Sequence, residues 1–392
     1  MKSHKLLMIP GPIEFDPAVL AAMSVPTSAH ADPTFIQTFG EALEKLRIVF
    51  QSPSGQPFVV AASGTFAMDV AVANLVEPGD RVLLLNIGYF SQRFGEILEC
   101  YGAKVTQIQA EIGSRPDPQQ VEDELKKGGY KALFFSHVDT STGVLNDVPT
   151  LARLARQYGA LCVVDGVCSI AAEELRMDEW GVDVAVTASQ KAIGVPPGLA
   201  LWMVSPQALE VRRKRKTGVP NYYGDWLRWL PVMQAHEARR FDYFATPAIN
   251  LIGALNVSLS QIVAEGMENR YARHRKLSRA FKAAMQALEL DQIPRSEEIA
   301  AHTLTAVRYP KGIQATEFLP RVAQEGVVIS GGLLPAIKHE YFRVGHMGVI
   351  GLSDLIGTIS AIEHSLYSLG YRFALGSGVA AAQRAYRDGE LL

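Results

Sequence analysis

Cysteine is scarce: the 392 residues hold three, Cys100, Cys162 and Cys168, with neither a Cys-x-x-Cys nor a zinc-finger spacing. An odd, scattered set argues against a disulfide framework or a cysteine-built metal site, and fits a reducing compartment. Long apolar runs are missing as well; nothing approaches the ~20 residues that a membrane-spanning helix needs. Charge of one sign is also absent, since 38 lysines and arginines face 40 aspartates and glutamates for a net of −2. No global field therefore calls for nucleic acid or an anionic membrane as partner. The early apolar run, Leu6 to Ile9, stops at Pro10 and is too short for a secretory signal, and Gly389-Glu390-Leu391-Leu392 is not a Ser-Lys-Leu address. The expectation is a cytoplasmic protein with small-molecule partners and no metal.

What is present is an ordinary globular composition, 48% hydrophobic and 20% charged, in a chain long enough for two or three domains. Short apolar runs at 57–62, 81–85, 104–108, 132–136, 161–164, from Val184 onward and at 199–204 alternate with helical spacing. Continuous apolar runs read as strands buried on both faces, and their alternation with helices predicts an α/β fold with a mainly parallel sheet and right-handed crossovers. Open sheets of this kind hold their ligands at the carboxyl edge. The residues that end each run are thus the candidates for chemistry.

The run from Val184 ends on Ser189-Gln190-Lys191, which puts an amine at that edge. The run 161–164 ends on Asp165, a carboxylate too costly to bury unless it faces a cation. Their separation suits one strand–helix–strand crossover. A lysine amine beside a buried carboxylate is what pyridoxal 5′-phosphate requires: the amine forms a Schiff base with the aldehyde, and the carboxylate keeps the pyridine nitrogen protonated so that the ring can withdraw electrons. Ser63-Gly64-Thr65 opens a helix over 66–75, where free amides and hydroxyls attract a phosphate, although Ser and Thr are also ordinary N-caps. Tyr89 and Phe90 end another strand with flat rings that either stack on a pyridine or join the core. Residues 137–143 form a turn dense in hydroxyls, Thr140 among them, free to bond a cofactor or to cap the helix over 148–158.

Pro10-Gly11-Pro12 reads as a rigid, extended arm, and His30 as a surface-loop residue. The basic cluster from Arg212 to Lys216 reads as a solvated helix end, and Tyr222, Tyr223, Trp226 and Trp229 as interface or core. A helical passage over 250–288, interrupted near Gly266, leads to strands at 304–309, 327–330 and 341–344 and helices at 315–324 and 353–368, the last capped by Ser353. The expected division is an arm at 1–20, a large cofactor-binding domain at 21–264 and a smaller α+β domain at 265–392. Arg343 lies in an apolar strand, where a guanidinium needs an anion: a substrate carboxylate or a structural ion pair.

With these residues the chain resembles the fold-type I, class V aminotransferases, and within them the alanine–glyoxylate (serine–pyruvate) group of fungal type. The motifs are SGT at 63–65, STGV at 141–144, VDGVCS at 164–169, TASQKA at 187–192, YFATP at 243–247, SGG at 330–332 and RVGHMG at 343–348. The resemblance implies a seven-stranded large-domain sheet and a homodimer whose active sites lie at the interface. It implies that Lys191 holds pyridoxal 5′-phosphate and shuttles the substrate proton, and that Asp165 pairs with the ring nitrogen. Ser63, Gly64, Thr65 and Gln190 would hold the phosphate, with Tyr243 and Thr246 reaching in from the second subunit. Thr140 would lie beside the ring, Phe90 would stack on it, and Arg343 would take the substrate carboxylate. Two departures stand out: Phe90 where the family often has tryptophan, and Thr65 where some relatives have histidine.

The activity so implied is transfer of an amino group from L-alanine to glyoxylate. Serine–glyoxylate or serine–pyruvate transamination is the alternative, because apolar pockets reject one added hydroxyl poorly. A cysteine desulfurase needs a nucleophilic cysteine on an exposed loop, which none of the three cysteines offers. A nicotinamide-linked dehydrogenase needs the GxGxxG spacing that the turn after Ala62 lacks. A non-enzymatic binding protein on the same fold has no reason to keep Lys191, Asp165 and Arg343.

Overall fold

Seven strands form the large sheet: β1 (Gln56–Ala61), β2 (Arg81–Asn86), β3 (Lys104–Gln109), β4 (Ala132–Ser136), β5 (Leu161–Asp165), β6 (Val184–Ala188) and β7 (Leu199–Val204), in the order β1-β7-β6-β5-β4-β2-β3. The computed structural model describes residues 4–388, so the tetrapeptide 389–392 lies outside the described residues. Strands β2 to β6 pair in parallel, whereas β7 runs antiparallel to both of its neighbours. The reason is the link over 189–198, which has no helix and is too short for the dozen or more residues of a parallel crossover. Because β7 reverses, β1 points the same way as the parallel set. The carboxyl ends of β1, β2, β4, β5 and β6 therefore share one edge, as the alternation of strands and helices implies.

Strands β4, β5 and β6 are buried along their whole length, which is why they read as unbroken apolar runs. Helices α1 (Gly64–Leu75) and α2 (Tyr89–Cys100) start from that edge. Two long helices, α3 (Ile249–Glu265) and α4 (Met267–Ala287), are separated by Gly266 at φ +81°, a left-handed conformation that glycine adopts without a Cβ penalty. A second hydrophobic cluster gathers Phe281, Phe318, Phe342, Leu355 and Ile362. It packs around a three-stranded antiparallel sheet of β8 (Leu304–Arg308), β9 (Ser330–Gly331) and β10 (Tyr341–Gly345), with β10 in the centre.

Three local expectations change. The strand expected at 327–330 is two: Val327–Val328 pairs with Leu6–Leu7 of the arm, and β9 pairs with β10. Ser353 does not cap the helix α5 (Leu352–Ser368); Gly351 is the cap residue, and the Asp354 carboxylate accepts its amide at 2.9 Å. The basic cluster is only partly solvated, since Arg212 is buried against Asp225 at 2.7 Å and Arg215 donates to the Val76 carbonyl. The arm is stitched to both sheets, with the Gly345 amide donating to the Met8 carbonyl at 2.9 Å and the Ile13 amide to the Gln190 carbonyl at 3.2 Å. Those bonds carry Pro10 and Gly11 between Lys191 and β10.

Candidate active site

At the shared edge lies a cavity of about 290 Å³ whose walls include Ser63, Gly64, Thr65, Phe90, Thr140, Asp165, Gln190, Lys191 and Arg343. Nine of the eleven expected site residues are thus brought together by five loops of the large sheet and one strand of the small one. Tyr243 and Thr246 are not among the lining residues; Tyr243 is 51% exposed and its hydroxyl meets that of Thr246 at 3.2 Å. His30 lies against the rings of Phe241 and Tyr243 on the same exposed patch. A larger cleft of about 970 Å³ runs beside α4, but its walls carry charges of both signs, Arg279, Lys282 and Arg308 against Glu289, Asp291 and Glu297. Chemistry belongs to the smaller, more enclosed space.

Lys191 is buried, and its Nζ donates to the Pro10 carbonyl, lies 3.4 Å from Thr140 Oγ1 and 3.9 Å from Cys168 Sγ. Burial lowers its pKa; the thiol of Cys168 and the carboxylate of Asp165 pull it back up, while Arg343 pushes it further down. Gly11 makes this approach possible. It sits at φ +129°, and a Cβ there would come within 2.5 Å of Lys191 Cδ. Asp165 is equally buried; the Ser136 hydroxyl donates to it at 2.9 Å and the Val167 amide at 3.0 Å. Desolvation nevertheless pushes its carboxyl up to about 6, against those two donors and the nearby Lys191.

An acid whose folded-state pKa lies above its unfolded value of about 3.9 weakens the fold once it ionises. The cost is absent below pH ~4, grows as pH rises to about 6 and is constant beyond. Asp165→Asn removes the charge; its amide oxygen can still accept the Val167 amide, and its NH2 can donate to the Ser136 hydroxyl in place of the bond the carboxylate accepted. In the cofactor-free protein it is expected to raise stability at pH 7.5 by on the order of 2 kcal/mol, and not at pH 4. Urea midpoints at the two pH values check this; an equal shift at both would sink it.

The flat wall is set by a carboxylate that sequence reasoning missed. Helix α2 begins after Gly88, which has no side chain to cap it. Asp139, fully buried, supplies the cap from a neighbouring loop: it accepts the Phe90 amide at 2.9 Å, the Ser91 amide at 3.0 Å and the Ser141 hydroxyl at 2.6 Å. The hydroxyl turn therefore holds α2 in place. The helix Val148–Gln157 has its own cap in Asp147, and only Thr140 of that turn faces Lys191. At the first turn of α1, the Ser63 hydroxyl accepts the Phe66 amide at 3.2 Å, so the capping role of that serine is real. The Gly64 and Thr65 amides, at the first two helical positions, have no intrahelical acceptor.

Arg343 closes the opposite side. Its Nε donates to the Gly331 carbonyl at 2.9 Å and one terminal nitrogen to the Thr140 carbonyl at 3.0 Å. Among the described residues no carboxylate lies in salt-bridge range of it, so the structural ion pair is not what balances this cation.

The aminotransferase class-V family matches residues 21–353. The chain belongs to the class-V aminotransferases. Alanine–glyoxylate aminotransferase 1 of Saccharomyces cerevisiae is 39% identical over 89% of this chain and 93% of the yeast protein. A serine–glyoxylate aminotransferase of Arabidopsis thaliana is 34% identical over 96% of this chain and 94% of its own. The crystal structure of ureidoglycine–glyoxylate aminotransferase from Bacillus subtilis superposes with a TM-score of 0.92 at 28% identity, covering 99% of both chains. As a class-V aminotransferase, the protein uses pyridoxal 5′-phosphate. The cavity suits that group: an amine and a carboxylate share its buried floor, free amides open one end, and a planar ring forms a wall. Behind the free amides there is no spare room, because a Cβ on Gly64 would come within 3.1 Å of Ala188 Cβ. None of the described helices is long and apolar enough to cross a membrane.

Proposed function

We propose that this aminotransferase moves the amino group of L-alanine to glyoxylate in a ping-pong sequence, releasing pyruvate before glycine forms. The observation that carries the reading is that Lys191 and a carboxylate-free Arg343 line one small cavity. The 39% identity to a yeast alanine–glyoxylate enzyme supports the substrate pair.

When bound, pyridoxal 5′-phosphate supplies an aldehyde that takes the amino group and a pyridine ring that draws electrons from the donor Cα. Lys191 Nζ is the base for the Cα proton. Burial lowers its pKa, which enlarges the share of free amine over that of an ordinary lysine. Asp165 would pair with the ring nitrogen and keep a proton there. Arg343 takes the α-carboxylate, which donor and acceptor share, so one cation serves both halves of the reaction. Ser63, Gly64, Thr65 and Gln190 would hold the phosphate, Phe90 would supply the flat face for the ring, and Thr140, 3.4 Å from Lys191 Nζ, would offer its hydroxyl beside the ring.

A serine donor is the second reading, favoured by the hydroxyls of Thr140 and Ser330 in the same cavity wall. We take the active unit to be a homodimer in which Tyr243 and Thr246 reach the phosphate of the second subunit; their exposure beside Phe241, itself 46% exposed, supports this. The free cysteines Cys100, Cys162 and Cys168 suit a cytoplasmic setting.

The test separates the half-reactions. Holoenzyme mixed with L-alanine and no acceptor is expected to release about one pyruvate per site, and glyoxylate added afterwards to yield as much glycine. Hydroxypyruvate from L-serine at a higher rate would move the serine reading ahead. No oxo acid from either donor would defeat both.

A further inference from the structure

The side-chain charges in the cavity do not cancel. Lys191, Arg343 and Arg93 line it as cations, and Asp165 is the one carboxylate among the lining residues. Arg343 is tied to carbonyls on the Thr140 side. At the other end, Ser63, Gly64, Thr65 and Gln190 are all neutral, although that is where a phosphate carrying nearly two negative charges would bind. A dianion held only by neutral donors leaves most of its charge uncompensated in a half-buried site.

Arg93 stands beside that end. It lies on α2 one turn beyond Tyr89 and Phe90, so the three side chains share a helix face. Its guanidinium lies 5.0 Å from the Phe90 ring centroid and 5.1 Å from that of Tyr89, and donates to Thr65 Oγ1 at 3.0 Å and to the Tyr89 hydroxyl at 3.3 Å. No carboxylate among the described residues is in salt-bridge range of it. The aromatic faces orient the cation without neutralising it, and Thr65 places it one hydrogen bond from the unpaired amides of α1.

We propose that Arg93 is the cationic ligand of the cofactor phosphate, completing a cradle whose other members from this chain are uncharged. The proposal rests on reading the 63–65 turn as the phosphate site. It gives α2 two tasks: Phe90 forms the ring wall, and Arg93 on the same face supplies the charge, both positioned by the Asp139 cap.

Equilibrium dialysis of the full chain against pyridoxal 5′-phosphate and, separately, pyridoxal tests it, because the two ligands share the aldehyde and ring and differ only in the phosphate. Arg93→Ala is expected to weaken binding of the phosphorylated ligand about 10- to 100-fold and to leave pyridoxal within about twofold. Arg93→Lys is expected to recover part of the loss, since an ammonium keeps the charge without the planar fork. Equal losses for both ligands would overturn the proposal and make Arg93 a support for Phe90. Unchanged binding of both, with a raised KM confined to donors bearing a side-chain carboxylate, would overturn it in favour of substrate reading. If the wild-type chain itself binds the phosphorylated ligand no more tightly than pyridoxal, the 63–65 cradle fails, and the proposal with it.

Discussion

Lys191→Ala is expected to lower the rate of amino transfer by about 10⁴-fold, the upper range for loss of a positioned acid–base group. On the proposed reading two functions go at once, the covalent anchor for the aldehyde and the base for the Cα proton. The fold should survive, because the amine's partners are a loop carbonyl at Pro10 and the Thr140 hydroxyl rather than members of the sheet. Three measurements check this. Borohydride reduction followed by peptide mass analysis should find the cofactor mass on residue 191 of the wild type and nowhere in the variant. Steady-state assay should give the rate loss. Added methylamine, small enough for the space vacated by the side chain, should restore a measurable fraction of the rate as an external base. A variant retaining a tenth of wild-type turnover would show that another group moves the proton, and the reading of this cavity would have to be rebuilt.

Lys191 and Asp165 were legible in the sequence because each interrupts an apolar run at its end, and parallel topology brings run ends to one edge. The same logic located the Ser63–Thr65 turn and Phe90. Arg343 was legible as a cation in an apolar strand, but the sequence left its anion open; of the two carbonyls that hold it, Gly331 lies 12 residues away on the neighbouring strand and Thr140 lies 203 residues away. Asp139 was passed over because its partners, the amides of Phe90 and Ser91, are about 50 residues distant and leave no periodic trace. The signal that could have found it is the missing cap: Gly88 opens α2 with no side chain, so some other group has to satisfy those amides. Arg93 had a similar clue in its spacing from Phe90, one helical turn away on the same face. Pro10 was read as rigid arm alone, since no local rule connects a proline carbonyl to a lysine at the far end of a domain. The misplacements in the fold, the split strand at 327–331 and the cap of α5, arise where pairing with the arm or a two-residue shift in the first turn decides the outcome. Neither is written in a single window of sequence.

Arg343→Gln is expected to raise the KM for L-alanine and for glyoxylate together, each by about 10²- to 10³-fold, with a smaller change in kcat. The argument begins with the cost of the native residue. Its guanidinium is buried, burial lowers its pKa, and neither carbonyl partner carries a full charge. An uncompensated buried cation is unfavourable, so an arriving carboxylate meets a site whose penalty it removes. The bonds to Gly331 and Thr140 fix the guanidinium plane in advance, which lets the remaining N–H groups meet both oxygens of one carboxylate without further ordering. Removing one partner of such a desolvated pair costs on the order of 3–4 kcal/mol, which corresponds to the stated factor. Because the carboxylate is common to donor and acceptor, the loss should fall equally on both half-reactions. Arg343→Lys should recover little of it, as an ammonium cannot hold both carbonyls and a carboxylate in one plane. The same penalty predicts that Arg343→Gln does not destabilise the protein when substrate is absent, since the amide side chain can still donate to one carbonyl and carries no charge. Separate KM determinations for the two substrates, with thermal melts of the substrate-free proteins, check each part. A KM that rises for alanine alone would place the carboxylate elsewhere in the acceptor complex, and a sharp fall in melting temperature would make Arg343 a structural residue after all.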